Sequence, residues 1–244
     1  MNKVAMITGA RRGLGLAVAK KFAGGGYNIV LNDREEYEEL LEIQKELEEK
    51  YSVSCFVCFG DVANEDNVMK MLENVKSAFG RIDVLVNNAG IVYDMELDER
   101  PTSIFEETMH NNVTGTYLMS KYFGHFMFES EETTRIINVA STNGMDCNFP
   151  TSIDYDASKA AIISLTKNFA LEYAPRILVN AVAPGWIKTE MNSDLPEDLV
   201  LEEASKIYLK RFAEPSEIAS LIYYLGSDEN TFVNNEIIKI DGGY

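Results

Sequence analysis

Short apolar runs alternate along the whole chain with longer stretches in which apolar residues recur at helical spacing. The runs Lys3 to Thr8, Asn28 to Asn32, Val53 to Phe59, Val84 to Asn87, Arg135 to Val139, Leu178 to Ala183 and Glu236 to Ile240 predict strands. They are apolar throughout rather than alternating, the mark of parallel strands covered on both faces. Between them, Leu14 to Phe22, Glu35 to Lys50, Glu65 to Phe79, Ile104 to Phe128, Tyr155 to Tyr173 and Ser216 to Leu225 predict helices. Gly24-Gly25-Gly26 closes the first helix, where a positive φ is needed. Strand–helix alternation of this kind predicts an α/β fold, a doubly wound, Rossmann-like parallel sheet with right-handed crossovers. No linker, repeat or low-complexity stretch interrupts it, so residues 1–244 are expected to form a single domain.

Composition narrows the function. The 244 residues are 46% hydrophobic and 25% charged, ordinary values for a protein with a sizeable core. A formal net charge of −17 argues against nucleic acid, an anionic membrane or an acidic protein as partner. The acidic stretches Arg34 to Lys50 and Glu129 to Glu132 read as solvated faces and loops. Three cysteines make no disulfide framework and imply a reducing compartment. Cys55 and Cys58 spell a C-x-x-C inside a predicted strand, where they point to opposite faces and read as core. The first predicted strand begins at Lys3 with no leader before it, and no segment approaches the ~18 apolar residues of a membrane span. A cytoplasmic protein is expected.

Thr8-Gly9-Ala10-Arg11-Arg12-Gly13-Leu14-Gly15 follows the first strand and opens the first helix. Glycines there let the backbone approach a pyrophosphate, which the helix N-terminus binds through free N–H groups and its dipole. The spacing is G-x-x-x-G-x-G rather than G-x-G-x-x-G. Asp33 ends the second strand, where a carboxylate can accept from both adenosine ribose hydroxyls and repel a 2′-phosphate. That favours NAD. Arg12 and Arg34 favour the alternative, NADP, because either guanidinium could clamp a 2′-phosphate. Asp61 and the Val62 backbone, after the third strand, are placed for adenine, although Asp61 could simply cap the next helix.

Tyr155 and Lys159 lie one helical turn apart on one face. A free phenol, with a pKa of about 10, is a poor acid or base at neutral pH, and a neighbouring ammonium lowers it. The pair is a candidate for proton transfer.

Taken together these residues resemble the short-chain dehydrogenase/reductase family, in its compact single-domain branch, from Lys3 to Gly243. Thr8-Gly9, Gly13 and Gly15 are similar to its cofactor turn, and Asn87-Asn88-Ala89-Gly90 to its fourth-strand signature. Asn112, Ser141, Tyr155 and Lys159 fall where the family has its catalytic residues. Pro184-Gly185 with Ile187 and Thr189 resembles the segment that grips the nicotinamide carboxamide, and Asp241-Gly242-Gly243 the C-terminal signature. The resemblance implies hydride transfer between C4 of the nicotinamide and a carbonyl or carbinol carbon. Tyr155 would be the acid/base, Ser141 would hold the substrate oxygen, and Lys159 would lower the Tyr155 pKa and contact the ribose. Asn112 would hold a water that relays the proton. No metal is expected, and His110 and His125 read as packing or surface residues.

Ser141 and Tyr155 are separated by one residue more than the family usually has, which alters the loop over the substrate. Ala174 to Asn180 is one residue shorter than usual, and Asn235 replaces a common glycine, at a place where asparagine tolerates a positive φ. The pocket is expected to be lined by Thr142 to Asp154, by Tyr93 and Asp94, and by Trp186 to Lys210, with Trp186 and Met191 as an apolar wall. That mixture suits a small hydroxylated ketone or sugar-like alcohol. The runner-up is a 3-oxoacyl-acyl-carrier-protein reductase, for which only Arg135, Arg176 and Lys188 offer basic contacts to an acidic carrier. A dinucleotide-sensing protein without turnover is a third reading, disfavoured because all four catalytic positions are filled. Surplus aromatics on the fourth and fifth helical patterns (Tyr117, Tyr122, Phe123, Phe126, Phe128, Phe169) suggest a covered stripe in a homodimer or homotetramer.

Overall fold

The computed structural model describes residues 2–193 and 195–244; of Met191 the side chain lies outside the described residues. Seven parallel strands form one sheet in the order β3-β2-β1-β4-β5-β6-β7. They are β1 Val4–Thr8, β2 Asn28–Asp33, β3 Cys55–Phe59, β4 Val84–Asn87, β5 Thr134–Val139, β6 Ile177–Pro184 and β7 Ile237–Ile240. The helices are α1 Gly13–Gly24, α2 Glu38–Tyr51, α3 Glu65–Phe79, α4 Thr102–Met109, α5 Gly115–Phe128, α6 Ile153–Tyr173, α7 Glu197–Lys206 and α8 Pro215–Gly226.

Alternate residues of each strand serve opposite layers. On β1, Ala5 and Ile7 pack with Val18 and Phe22 of α1, Leu40 and Leu47 of α2, and Ile218 and Ile222 of α8. Val4 and Met6 pack with Val68 and Met71 of α3, Met119 and Phe123 of α5, and Tyr173 of α6. Cys55 and Cys58 are buried in opposite layers, as their strand spacing requires. Strand order reverses between β1 and β4, which pair Ile7 with Val86. Ligands of such sheets bind beyond the carboxyl ends of the strands at that reversal.

The long helical pattern Ile104 to Phe128 is not one regular helix. A π turn, His110–Thr114, joins α4 to α5 and carries Asn112. Hydrophobic periodicity reads through such a bulge, because an apolar face continues on either side of it. The first three residues expected for α2, Glu35 to Tyr37, are instead a loop, with Tyr37 extended at φ −102°. The glycine-rich end of α1 takes its positive φ at Gly26 alone, at 82°. Asn235 has the positive φ expected of it, 65°. Helix α7 has no counterpart among the predicted elements; its charged sequence, Glu-Asp-Leu-Val-Leu-Glu-Glu-Ala-Ser-Lys, buries one side chain fully, Glu203.

Candidate active site

A buried polar ladder ties the layers together beneath the site. Asn87 of β4 donates to Ser120 Oγ of α5 at 2.9 Å and to Asn138 Oδ1 of β5 at 2.8 Å. Asn138 donates in turn to Thr166 Oγ1 of α6 at 2.9 Å. These bonds run between elements within the core, so the ladder fixes the height of α6, and of Tyr155 and Lys159, against the sheet.

The turn between β1 and α1 is a cradle. Gly9 and Gly13 have φ of 62° and 55°. A Cβ on Gly15 would stand 2.1 Å from the Gly9 carbonyl oxygen, so only glycine allows the helix to start this close to the turn. Thr8 Oγ1 accepts from the N–H groups of Asn88 and Ala89 at 2.9 and 3.0 Å, fixing the turn after β4 beside it. Helix α1 has no side-chain cap and no acidic residue in its first turn. Its unpaired N–H groups and dipole therefore face outward, and the cradle fits a dinucleotide pyrophosphate.

Asp33 ends β2 with its Oδ1 accepting from Arg34 N at 2.8 Å. The guanidinium facing it is Arg11, with Nε 3.9 Å from Asp33 Oδ2. Arg11 also reaches Glu39 at 3.3 Å and lies 4.0 Å over the Tyr37 ring. The sequence points to Arg12 and Arg34 for this place and not to Arg11, because side-chain direction in an irregular turn follows no period. Arg12 is exposed and forms no ion pair among the described residues, and Arg34 pairs with Glu35 at 3.8 Å. Asp61 does not cap α3. Asn64 does, accepting from Asn67 N at 3.0 Å, while Asp61 Oδ1 accepts from Ala63 N at 2.8 Å. Val62 packs against Gly115, where a Cβ would be 2.7 Å from Val62 Cγ2.

Ser141, Tyr155 and Lys159 meet beyond β5. Ser141 follows that strand and is buried, and Lys159 is 3% exposed. Lys159 Nζ donates to Val139 O at 2.8 Å and lies 5.2 Å from the Tyr155 ring centroid. Burial pushes the Tyr155 phenol up to about 12, the Ser141 hydrogen bond opposing it and the Asp156 charge adding to it. Burial alone pushes the Lys159 ammonium down to about 8. Burial therefore outweighs any lowering of the phenol by the Lys159 ammonium. Both groups share one desolvated pocket, which penalises the charged form of each.

Asn112, in the π turn, is buried and its side chain is fully engaged. Its Oδ1 accepts from Ile91 N at 2.8 Å, and its Nδ2 donates to Ile91 O at 2.9 Å and to Ser158 Oγ at 3.0 Å. The side-chain amide clamps the segment after Gly90 to α6. Gly90 nevertheless sits at the centre, where a Cβ would stand 3.2 Å from Asn112 Oδ1 and 3.7 Å from Lys159 Nζ.

The rim is built from buried charge. Arg100, its side chain 4% exposed, bonds Asp154 Oδ1 at 2.5 Å, the carbonyls of Tyr93 and Met95 at 3.0 Å each, and the Thr151 carbonyl. Thr108 donates to the other Asp154 oxygen at 2.6 Å. The segment after β4 is thereby stapled to the residues just before Tyr155. Across the cleft, Pro184 O lies 3.5 Å from Ser141 Oγ, and Gly185 abuts Asp241. Ile187 bridges to Ala213. Thr189 reaches the phosphate turn, its Cγ2 3.4 Å from where a Cβ on Gly13 would stand. Trp186 stacks on Phe212 at 5.2 Å, meets Phe149 of the substrate loop edge-on at 5.7 Å, and donates to Glu203 of α7 at 3.1 Å. Arg11 and Arg100 were not singled out by the sequence, whereas Asp154 and Glu203 fall inside the stretches expected to line the pocket. Among the described residues no cluster of His, Cys, Asp and Glu could hold a metal, and no helix is long and apolar enough to cross a membrane.

Comparison with known proteins agrees with this geometry. Residues 9–244 match the family model described as enoyl-(acyl carrier protein) reductase. The chain is 34% identical to the 3-oxoacyl-acyl-carrier-protein reductase FabG of Aquifex aeolicus, over 99% of this chain and 97% of that protein. A short-chain type dehydrogenase/reductase from Mycobacterium marinum superposes with a TM-score of 0.94 at 34% identity, covering 99% of this chain and 95% of that one. The L-sorbose reductase of Gluconobacter frateurii, solved with NADPH and L-sorbose, superposes with a TM-score of 0.91 at 30% identity, covering 99% and 96%. With its parallel sheet, its glycine cradle and its nicotinamide-dinucleotide dependence, this chain belongs to the short-chain dehydrogenase/reductase family of oxidoreductases.

Proposed function

We propose that the chain reduces a small hydroxylated or sugar-like ketone to a secondary alcohol, with NAD preferred over NADP, and catalyses the reverse oxidation. The observation that carries this reading is the meeting of Ser141, Tyr155 and Lys159 beside the glycine cradle. The dinucleotide, held by Gly9 to Gly15, Asp33, Asp61, Asn88 to Gly90 and Pro184 to Thr189, supplies or takes the hydride when bound. Tyr155, a neutral phenol at physiological pH, is set to donate its proton to a carbonyl oxygen. Ser141 Oγ holds that oxygen and stabilises charge developing on it. Lys159, buried and anchored on Val139 O, keeps a cation within reach of the phenol it must recharge. Asn112 keeps Gly90 and Ile91 against α6. One domain spanning residues 1–244 performs both binding and chemistry, in the cytoplasm, as a homodimer or homotetramer. Exposed Tyr117 and Leu171, at 42% and 82%, support a covered face, although Phe123 belongs to the core.

The second reading, reduction of a 3-oxoacyl group on a carrier protein, is favoured by the FabG relative, similar along its whole length. Charge opposes it. Arg135 is 4% exposed and bonded to Thr133 O and Asn230 O at the start of β5, the end of the sheet away from the site. Arg176, at the same end, donates to Phe128 O and Ser130 O. Lys188 is paired with Glu214 at 2.5 Å. That leaves Lys188, exposed and paired with Glu214, as the one of the three on the site's side of the sheet.

Initial rates with NADH and NADPH in parallel, on L-sorbose, 2,3-butanedione and an acetoacetyl thioester, test both readings. Turnover of the first two substrates, faster with NADH, is the expected result. Rapid turnover of the thioester alone, with NADPH, would replace the first reading by the second.

A further inference from the structure

The residue that follows Ser141 by two, Asn143, is wired into the site through a carboxylate. Asn143 Nδ2 donates to Asp156 Oδ1 at 2.7 Å. Asp156 also accepts from Ser152 Oγ at 3.1 Å and from Phe149 N at 3.0 Å. A carboxylate with three donors on it can only accept, so the amide of Asn143 must turn its nitrogen to Asp156 and its oxygen away. The oxygen then stands 3.1 Å from Ser141 Oγ, and Asn143 N donates to the same Oγ at 3.2 Å. Ser141 thus receives one N–H and faces one acceptor, both from Asn143. The competing acceptor, Pro184 O, is farther at 3.5 Å. Ser141 also acts on Tyr155, favouring its ionised form.

From this geometry, and resting on the reading of Ser141 and Tyr155 given above, we propose that Asn143, oriented by Asp156, is a positioning residue that sets the direction of the Ser141 hydroxyl. A serine hydroxyl rotates freely, and its proton goes wherever the better acceptor lies. With Asn143 in place, its amide oxygen competes with the Tyr155 and substrate oxygens for that proton. Asp156 also ties the lengthened loop Thr142 to Asp154 back to the first turn of α6. The same carboxylate therefore couples the position of the substrate loop to the alignment of the hydroxyl. Gly144 seats the loop on that helix, because a Cβ there would be 2.6 Å from the Lys159 carbonyl carbon.

The test is a double-mutant cycle on the full-length protein, using L-sorbose, 2,3-butanedione and an acetoacetyl thioester as probes, with NADH and NADPH. Asn143→Ala is expected to lower kcat at least tenfold while KM and cofactor affinity, followed by NADH fluorescence, change less than threefold. In a Ser141→Ala background the same change should have no further effect on kcat. Asp156→Asn, which keeps one oxygen for Asn143 and Ser152 and turns an amide nitrogen toward Phe149 N, should retain part of the activity that Asp156→Ala loses. Additive losses from Ser141→Ala and Asn143→Ala, or a loss confined to KM, would overturn the positioning role and leave the site reading intact. Wild-type kcat in Ser141→Ala, or no turnover of any probe by the wild type, would overturn the site reading and this inference with it.

Discussion

Asn88 donates its side-chain amide to the carbonyls of both Thr8 and Gly9, at 2.9 and 3.1 Å, so the residue after the fourth strand holds the turn after the first. The bond runs both ways through the crevice, since Thr8 Oγ1 accepts from the backbone of Asn88 and Ala89. The phosphate cradle is therefore shaped by two strands that meet only in the folded sheet.

Asn88→Ala removes two such bonds and leaves their acceptors part-buried. At about 0.5–1.5 kcal/mol each, the loss should be about 1–3 kcal/mol of stability. Cofactor affinity should fall with it, because the turn is no longer held open. Urea unfolding and NADH fluorescence titration read the two effects; unchanged values in both would show that Asn88 does not shape the cradle.

Arg100 and Asp154 form a buried pair, 4% and 0% exposed. Removing one partner of such a pair costs about 3–5 kcal/mol, since the other charge is left uncompensated. Arg100→Leu should show that loss in chemical denaturation, and adding Asp154→Leu should restore part of it. A double variant as unstable as the sum of the singles would mean that the charges act independently.

Lys159 carries a pH signature. Its folded pKa, about 8, lies below the ordinary lysine value of 10.5, so the unfolded chain binds more protons between those values. Stability should therefore rise with pH across that window, and Lys159 penalises the fold below it. The gap between the stabilities of Lys159→Met and wild type should change by about 3 kcal/mol from pH 7 to pH 10.5, at 1.36 kcal/mol per pKa unit. Parallel stability curves would show that the ammonium is not desolvated.

Tyr155→Phe keeps the ring and removes the proton. Turnover should fall by about 100-fold or more, the usual contribution of a positioned acid or base, with cofactor affinity nearly unchanged. Comparable turnover in the variant would assign the proton transfer elsewhere.

Asp33→Asn removes the charge that opposes a 2′-phosphate and leaves Arg11 beside it. The ratio of NADPH to NADH affinity should rise at least about tenfold, or about 1.4 kcal/mol. An unchanged ratio in parallel titrations would mean that Asp33 does not face the 2′ position.

Much of the site was legible in the chain because its parts are local. The glycine turn, Asn87 to Gly90, and Tyr155 with Lys159 each depend on a strand end or one helical turn, and apolar runs betray both. Asn112 was located but its work was not, since a clamp on Ile91 needs two segments to be adjacent. Helix α7 was missed because its one fully buried side chain is a glutamate, held by Trp186, Lys206 and Tyr244, which leaves no apolar stripe to read.

What the sequence by itself determined was the alternation of buried strands with amphipathic helices, and hence the sheet, its hand and the crevice at its reversal. Short-range periodicity and glycine chemistry dictate these. Only the tertiary structure decided which cation faces Asp33, where the Arg100 side chain is buried, and that Asp156 reaches Ser141 through Asn143. It also decided that burial raises the Tyr155 phenol against the pull expected from Lys159. Desolvation and side-chain direction depend on what packs around a residue, and that is set by segments far away along the chain.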